Sequence, residues 1–364
     1  MSIKVLHIID HLGYGGAPIV VKNIVEKLDG ANIETFVCAL RTNPDAIPIE
    51  TNLISLTHHR YNPFSFLTIA KLCKEYKIDI IHAHLQKSII SSLLAGFFCN
   101  AKIIIHEHGP IFRRGTGCIY RLLLKLLASK ASAAIANSQA TKSALQKTTQ
   151  LPEESIHIVS NFIDLSRFDR TLYDRDKIRN SLDITDNETA VGFLGRLDQC
   201  KGIDLLIHAA EILCKKDPHY RFIIAGDGAQ RKSLEQLVFK SGLKEKVSFT
   251  GLCKDPAEIM TAFDIAVIPS RREAFGITAV EFMKMKVPVI ASPVGGLVEL
   301  VQNKKTGILL ENLSADSIAQ AVIELAQDDS LKKSIRENAE VFSRAFDGQQ
   351  QLKQITEIYE KFVI

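Results

Sequence analysis

The sequence predicts an α/β protein built of doubly wound, parallel-sheet units. Three observations carry this. Short apolar runs alternate with longer helical stretches along the whole 364-residue chain, the pattern of βαβ units. The runs are continuous rather than alternating, as strands buried on both faces of a parallel sheet should be. At roughly 150 residues per domain, the length suits two such units.

In the first half the strand-like runs are Val5–Ile9, Glu34–Leu40, Asn52–Leu56, Ile78–His82, Lys102–His106, Ala133–Ala136 and Ile156–Val159. Helical patterns fill the gaps, for example Gly16–Leu28 and Phe64–Tyr76. The second half repeats the scheme with Ala190–Gly195, Arg221–Ala225, Val247–Thr250, Ile265–Pro269 and Val287–Ala291. The seam is expected near 165–185. There Arg167 to Asn180 mixes charges densely with no apolar run, as a linker followed by a surface helix would. A last helical stretch, roughly Gly348–Val363, follows a break at Phe346-Asp347-Gly348.

Composition narrows the function classes. With 46% hydrophobic and 24% charged residues, the chain is neither disordered nor a rod. A net charge of +4 is too small to argue for a nucleic-acid partner. The 7 cysteines are scattered, with no C-x-x-C pair, which fits a reduced, cytoplasmic compartment better than a disulfide framework or zinc module. No signal peptide is expected. The nearest approach to a spanning segment, Ile89–Cys99, is half of the roughly 20 residues required. Any membrane contact is therefore expected at the surface.

Parallel sheets present ligands outside the carboxyl ends of their strands, and five such ends carry unusual residues. Gly13-Tyr14-Gly15-Gly16 follows the first strand and opens a helix, so Gly15 and Gly16 can bring amides to an anion. The spacing is not G-x-G-x-x-G, because Pro18 stands in it, and this disfavours a nicotinamide cofactor. His82 and His84 close one strand, and His106 and His108 a neighbour. Metal binding by these pairs is disfavoured, since adjacent strand residues alternate faces and i, i+2 pairs flank a packed position. His82, His84 and His106 are read as hydrogen-bonded residues at a crevice rim. His108, before Gly109-Pro110, is expected to act directly. Gly195-Arg196-Leu197 then Lys201-Gly202 offers two cations beside a helix start, a fork and a point charge suited to a diphosphate. Gly226-Asp227-Gly228 makes a close-approach turn in which Asp227 either caps the next helix or meets the ligand. The most specific string runs from Pro269 to Glu281. Glu273 lies in a loop, a helix begins near Phe275, and Phe275, Gly276 and Ile277 offer amides for a phosphate. Glu281 lies more than one turn deeper. Pro293-Val294-Gly295-Gly296 and Glu299 add a further turn.

Glu273-x7-Glu281, with Gly195-Arg196, Lys201-Gly202, Gly226-Asp227-Gly228 and Ser160-Asn161-Phe162-Ile163-Asp164, resembles the retaining GT-B glycosyltransferases of family 4 over nearly the whole chain. The first half contributes the Gly-Gly loop, His108 and Asn137-Ser138. The resemblance implies two Rossmann-like domains facing a cleft: 1–168, with the helix of 347–364 crossing back, for the acceptor, and 169–346 for the nucleotide sugar. It implies no metal and no cofactor, because Arg196, Lys201 and helix amides neutralise the diphosphate. It also implies transfer of a hexosyl group to an acceptor hydroxyl with the anomeric configuration kept. Arg196 and Lys201 would stabilise the leaving diphosphate, Glu273 would orient the hexose and His108 would contact it. Glu281 would reach the ribose. Family frequency favours a uridine diphosphate sugar. Ala17-Pro18 depart from the bulkier polar residue common in the family.

Rival readings are a GT-B nucleotide-sugar epimerase or hydrolase, a nicotinamide oxidoreductase, and a non-catalytic sugar-binding protein. The acceptor is expected to be a glycan or lipid-linked molecule of the cell envelope. Residues 1–168 hold 18 cations against 12 anions, and 102–147 hold eight against Glu107 alone. Within 113–130, Arg113 and Arg114 precede a helix in which Arg121 and Lys125 share one face and Leu122, Leu123, Leu126 and Leu127 form an apolar side. This helix is expected to lie on an anionic membrane surface, at the cytoplasmic face.

Overall fold

The structure is a computed structural model describing residues 2–13, 15–30, 32–41, 46–55, 62–109 and 116–363. The chain forms two units, 1–163 with 348–364, and 164–347. The crossing at 163/164 comes five residues before the expected 168/169. The charge-rich stretch already belongs to the second unit, where Arg167 acts electrostatically on Glu281.

In the first unit, strands β1 (Ile3–Ile9), β2 (Ile33–Ala39), β3 (Asn52–Ser55), β4 (Ile80–His84), β5 (Lys102–Glu107), β6 (Ala133–Ala136) and β7 (Ile156–Ile158) form one parallel sheet. Its order is β3-β2-β1-β4-β5-β6-β7. Helices α1 (Gly16–Leu28), α2 (Ser65–Tyr76), α3 (Gln86–Ala95), α4 (Thr116–Leu127) and α5 (Gln139–Thr149) connect the strands. The continuous apolar runs become strands buried on both faces: Leu6, Ile8, Ile81, Ile105 and Ala134 pack in one cluster, Ile9 and Val37 in another. The order reverses between β1 and β4, which opens the crevice where such sheets take ligands.

The second unit repeats the plan. In chain order it runs α6 (Arg175–Ser181), β8 (Thr189–Leu194), α7 (Ile203–Lys216), β9 (Tyr220–Ala225), α8 (Arg231–Lys240), β10 (Val247–Gly251), α9 (Pro256–Thr261) and β11 (Ile265–Ile268). It continues with α10 (Ile277–Lys284), β12 (Val289–Ala291), α11 (Leu297–Leu300), β13 (Ile308–Leu309), α12 (Ala315–Gln327) and α13 (Asp329–Ser343). The sheet order β10-β9-β8-β11-β12-β13 places the reversal between β8 and β11. Only β13, two residues long, was not legible as an apolar run.

The expected surface helix after the linker is α6, and two of its cations do more than meet solvent. In α6, Arg179 is 5% exposed and donates to the carbonyls of Ala262, Thr185 and Glu188 and to Asp264 Oδ2. Arg175 also donates to Asp264 and to the carbonyls of Thr261 and Phe263. A helix leaves its last carbonyls unsatisfied, and here two guanidinium forks satisfy those at the end of α9. Arg175 and Arg179 are staples, while Asp174, Asp176 and Lys177 of the same stretch are solvated surface.

The last helix, α14 (Gln349–Val363), belongs to the first unit. Ile355 and Tyr359 are fully buried, and the Tyr359 hydroxyl lies 2.6 Å from His82 Nδ1. Gln351 Nε2 donates to Ser160 Oγ at 3.1 Å. Among the described residues no helix is long and apolar enough to cross a membrane. Tyr359→Phe leaves His82 Nδ1 without its hydroxyl, and an unsatisfied buried polar atom costs about 1–3 kcal/mol. Urea unfolding of the first unit should show a loss of that size.

Candidate active site

In the second unit the site grows from the ends of β8 and β11, the strands flanking the reversal. After β8 come Gly195 and Arg196, then a tight turn Gln199–Lys201, and Gly202 begins α7. After β11 come Ser270 to Phe275, and Gly276 caps α10, which begins at Ile277, two residues later than expected. Lys201 Nζ donates to Glu273 Oε2 at 2.6 Å, with side chains 22% and 16% exposed. Ser270 Oγ donates to the same carboxylate oxygen at 3.2 Å, and Ser292 Oγ to the Ser270 carbonyl at 2.6 Å. The two predicted ligands of different parts of one substrate are thus brought into contact with each other. A diphosphate oxygen would compete with Glu273 for Lys201.

Arg271, which the sequence reading passed over, ties the same two loops. Its fork meets Asp204 at 2.7 and 2.6 Å, its Nη1 donates to the Gln199 carbonyl and its amide to the Cys200 carbonyl. This fork holds the Asp204 carboxyl below the usual range. Its position two residues before Glu273 was the available signal.

Two glycines are required by backbone contact. A Cβ on Gly226 would lie 1.9 Å from the Gly195 carbonyl oxygen, and one on Gly295 1.7 Å from that of Glu273. Both also have positive φ, 131° and 54°. Gly226 is therefore demanded by loop packing, whatever it offers a ligand.

The remaining expected donor residues are placed as follows. Arg196 is 68% exposed in its side chain and pairs with Asp198 at 2.7 Å, so the two cations are held by different carboxylates. Asp227 does not cap α8, which begins after Gln230; its carboxylate accepts the Gly228 amide and its carbonyl the Leu197 amide. The Phe275 ring is buried and packs edge-on against Phe346, and its main chain lies against Gly296. Ile277 opens α10, and its first-turn amides face outward along the helix axis. Glu281 is 7% exposed, and burial pushes its carboxyl up to about 7 against the pull of Arg167. Gly15 and Gly16 stand at the start of α1 as expected; Tyr14 lies outside the described residues.

In the first unit the histidines are corrected from rim residues to a buried stack. His7, missed in the sequence although it interrupts the apolar run of β1, is in register with His82, and His84 is in register with His106. Residues i and i+2 of a strand share a face, so all these rings lie on one side of the sheet. His7, His82 and His84 are 0% exposed and His106 2%. His108 follows β5, with Nε2 2.8 Å from His84 Nδ1. Burial drives His7 and His108 down to about 3. Burial first, and the neighbouring rings second, hold His82, His84 and His106 well below the usual histidine range. Two groups, His7-His82-His84 and His84-His106-His108, bring three ring nitrogens within 4.8 Å of one another. The rings stack, with His106 and His108 centroids 4.0 Å apart at 26°, and most of the nitrogens bond one another.

Asn137 and Ser138 serve the start of α5: Ser138 Oγ accepts the Thr141 amide, and Thr141 Oγ1 donates to Asn137 Oδ1.

Two Rossmann-like sheets in this order, with an acid–base pair at the second reversal, define a GT-B glycosyltransferase fold. The family comparison agrees. The model described as Glycosyl transferases group 1 matches residues 174–342, and Glycosyltransferase Family 4 matches 14–167. The chain belongs to the group 1 glycosyltransferases of family 4. It is 28% identical to an uncharacterized glycosyltransferase of Methanocaldococcus jannaschii over 350 residues, 89% of this chain and 88% of that one. It is 29% identical to the alpha-D-kanosaminyltransferase of Streptomyces kanamyceticus, over 71% of this chain and 67% of that one. Among solved structures, Anabaena HepE in complex with UDP and glucose superposes with a TM-score of 0.85 at 24% identity, covering 99% of this chain and 100% of that one.

Gly295→Ala should push the Glu273 backbone out of place without touching a charge. A displacement near 1 Å at a reacting site costs about 10²-fold in rate. Steady-state glycosyl transfer should fall by that order while circular dichroism stays native.

Proposed function

We propose that this enzyme transfers a hexosyl group from a uridine diphosphate sugar to an acceptor hydroxyl, with retention and without a metal. The observation that carries the reading is the Lys201–Glu273 pair at the β8/β11 reversal, beside the start of α10. The barrier is departure of the diphosphate from the anomeric carbon. Charge grows on the leaving oxygen, so Lys201, Arg196 and the α10 amides stabilise the transition state more than the ground state. Glu273, released from Lys201, takes sugar hydroxyls, and Glu281 takes the ribose. The departing diphosphate receives the acceptor proton on the same face, which keeps the configuration. His108, in the first unit, is assigned to the transferred sugar or its acceptor-side oxygens. HepE, solved with UDP and glucose, supports the choice of uridine diphosphate donor.

Thermal-shift screening of UDP-, GDP- and ADP-sugars tests the donor, since ligand at 100 times its Kd stabilises by about 2.7 kcal/mol. Lys201→Ala should lower kcat by about 10²–10³-fold with the fold intact, and the product should keep the donor's anomeric configuration by NMR. An unchanged kcat, or an inverted product, overturns this mechanism.

The acceptor reading rests on α4, and the structure alters its faces. Tyr120 and Leu124 pack into the core, with Leu123 and Leu127 at its margin. Ile119, Leu122 and Leu126 are 63%, 58% and 66% exposed. Arg121 and Lys125 flank this outward apolar stripe, and Lys130 lies over the exposed Phe97 ring at 4.2 Å. Arg113 and Arg114 lie outside the described residues. Apolar side chains bordered by cations suit an anionic lipid surface, and so a lipid-linked or envelope-glycan acceptor. Wild type should sediment with anionic vesicles at low salt, and Leu122→Ser/Lys125→Ser/Leu126→Ser should bind at least about tenfold more weakly. Equal binding of both would return the acceptor to the soluble class.

A further inference from the structure

We propose that His84, backed by His7, is a positioning residue that decides which nitrogen of His108 carries its proton. The inference rests on the role assigned to His108 above. His7 Nδ1 lies 3.0 Å from His84 Nε2, and His84 Nδ1 lies 2.8 Å from His108 Nε2. A neutral imidazole has one donor and one acceptor nitrogen. A proton on His84 Nδ1 makes His108 Nε2 the acceptor and puts the His108 proton on Nδ1. It also makes His84 Nε2 an acceptor, so His7 donates from Nδ1. With both bonds made, all three rings must carry Nδ1–H, or all three Nε2–H. The ladder therefore has two states. In one His108 Nδ1 is a donor, and in the other it is an acceptor.

Both ends of the ladder are open. His7 Nε2 and His108 Nδ1 are shut off from solvent and have no hydrogen-bond partner among the described residues. Burial keeps each ring singly protonated near neutral pH, which the two-state rule requires. The neighbouring pair behaves differently. The buried Tyr359 hydroxyl, 2.6 Å from His82 Nδ1, can donate or accept there, so the His82–His106 pair, with Nε2 and Nδ1 3.2 Å apart, ends on a protein group that satisfies either tautomer. Among the described residues no such group ends the His7–His84–His108 ladder, so the three rings change state together. The backbone leaving His84 is also constrained. Leu85 has φ 70° and ψ 160°, a costly conformation for a branched side chain, and Asp10 Oδ1 holds the next turn through the Ser88 amide and hydroxyl. Strain beside a stack with three unpartnered ring nitrogens marks a place shaped for something other than stability.

The test is 15N NMR of histidine tautomers in the full chain, with steady-state kinetics. In the wild type, His7, His84 and His108 should show one common tautomer. In His84→Phe, His108 should become a tautomer mixture and kcat should fall about 10–100-fold, with the donor KM within about threefold. His84→Asn, whose amide replaces Nδ1, should restore most of both. If His84→Phe does not fold, His7→Phe serves instead, mixing the tautomers of His84 and His108. Unlike tautomers among the three wild-type rings overturn the ladder, as does a His84→Phe enzyme with unchanged His108 tautomer and kcat. The NMR arm reads the ladder whether or not His108 proves catalytic, so the two failures are distinguishable.

Discussion

Backbone-to-backbone contact between the loops at the carboxyl ends of β8, β9, β11 and β12 is the constraint on which the second unit's site depends. Gly226 lies against the Gly195 carbonyl and Gly295 against that of Glu273, with no room for a side chain at either place. Loops this close cannot move independently. Their contact fixes the main chain that carries Glu273, and Ser270 and Lys201 then fix its carboxylate. Arg271 repeats the tie from the other side through Asp204. Lys201 and Glu273 are thereby held against each other by protein partners before any ligand contributes.

The two units share one topology but furnish the same structural position with opposite chemistry. At the β8/β11 reversal the functional groups are ionic and paired. At the β1/β4 reversal they are imidazoles kept neutral by burial. Neutrality follows from the packing: a cation placed among four other rings with no carboxylate partner would pay both desolvation and repulsion. A neutral stack can still hand hydrogen bonds along itself. Glu107, next to His108, obeys the same rule, since burial pushes it up to about 7 although it accepts from Tyr120 and Gly109. Through Tyr120 this carboxyl also links the His108 turn to α4, the helix with the exposed apolar stripe.

Charge along the sequence proved a poor guide to exposure. The mostly exposed run 167–180 also supplies a buried fork, Arg179, and a half-buried one, Arg175, that satisfy the last carbonyls of α9. In α4, by contrast, leucines at helical spacing split between core and surface: Leu124 is buried while Leu122 and Leu126 point outward. A helix with leucines on most of its faces has no single apolar side until its neighbours decide which part is covered.

The sequence by itself determined the strand and helix order, the doubly wound class and the second unit's motif, because continuous apolar runs and strand-end glycines are local signals. Glu273, Lys201 and Arg196 were legible as charged residues just past strand ends, and Glu281 as a carboxylate inside the following helix. What only the tertiary structure decided is who touches whom. Lys201 and Glu273 are 72 residues apart and meet because β8 and β11 are neighbours in the sheet. His7 and His84 are 77 apart and meet because β1 and β4 are paired in register. Tyr359 reaches His82 across 277 residues because α14 returns to the first unit. Parallel pairing always joins residues far apart in the chain, so periodicity names the strands while strand order, register and burial assign the partners.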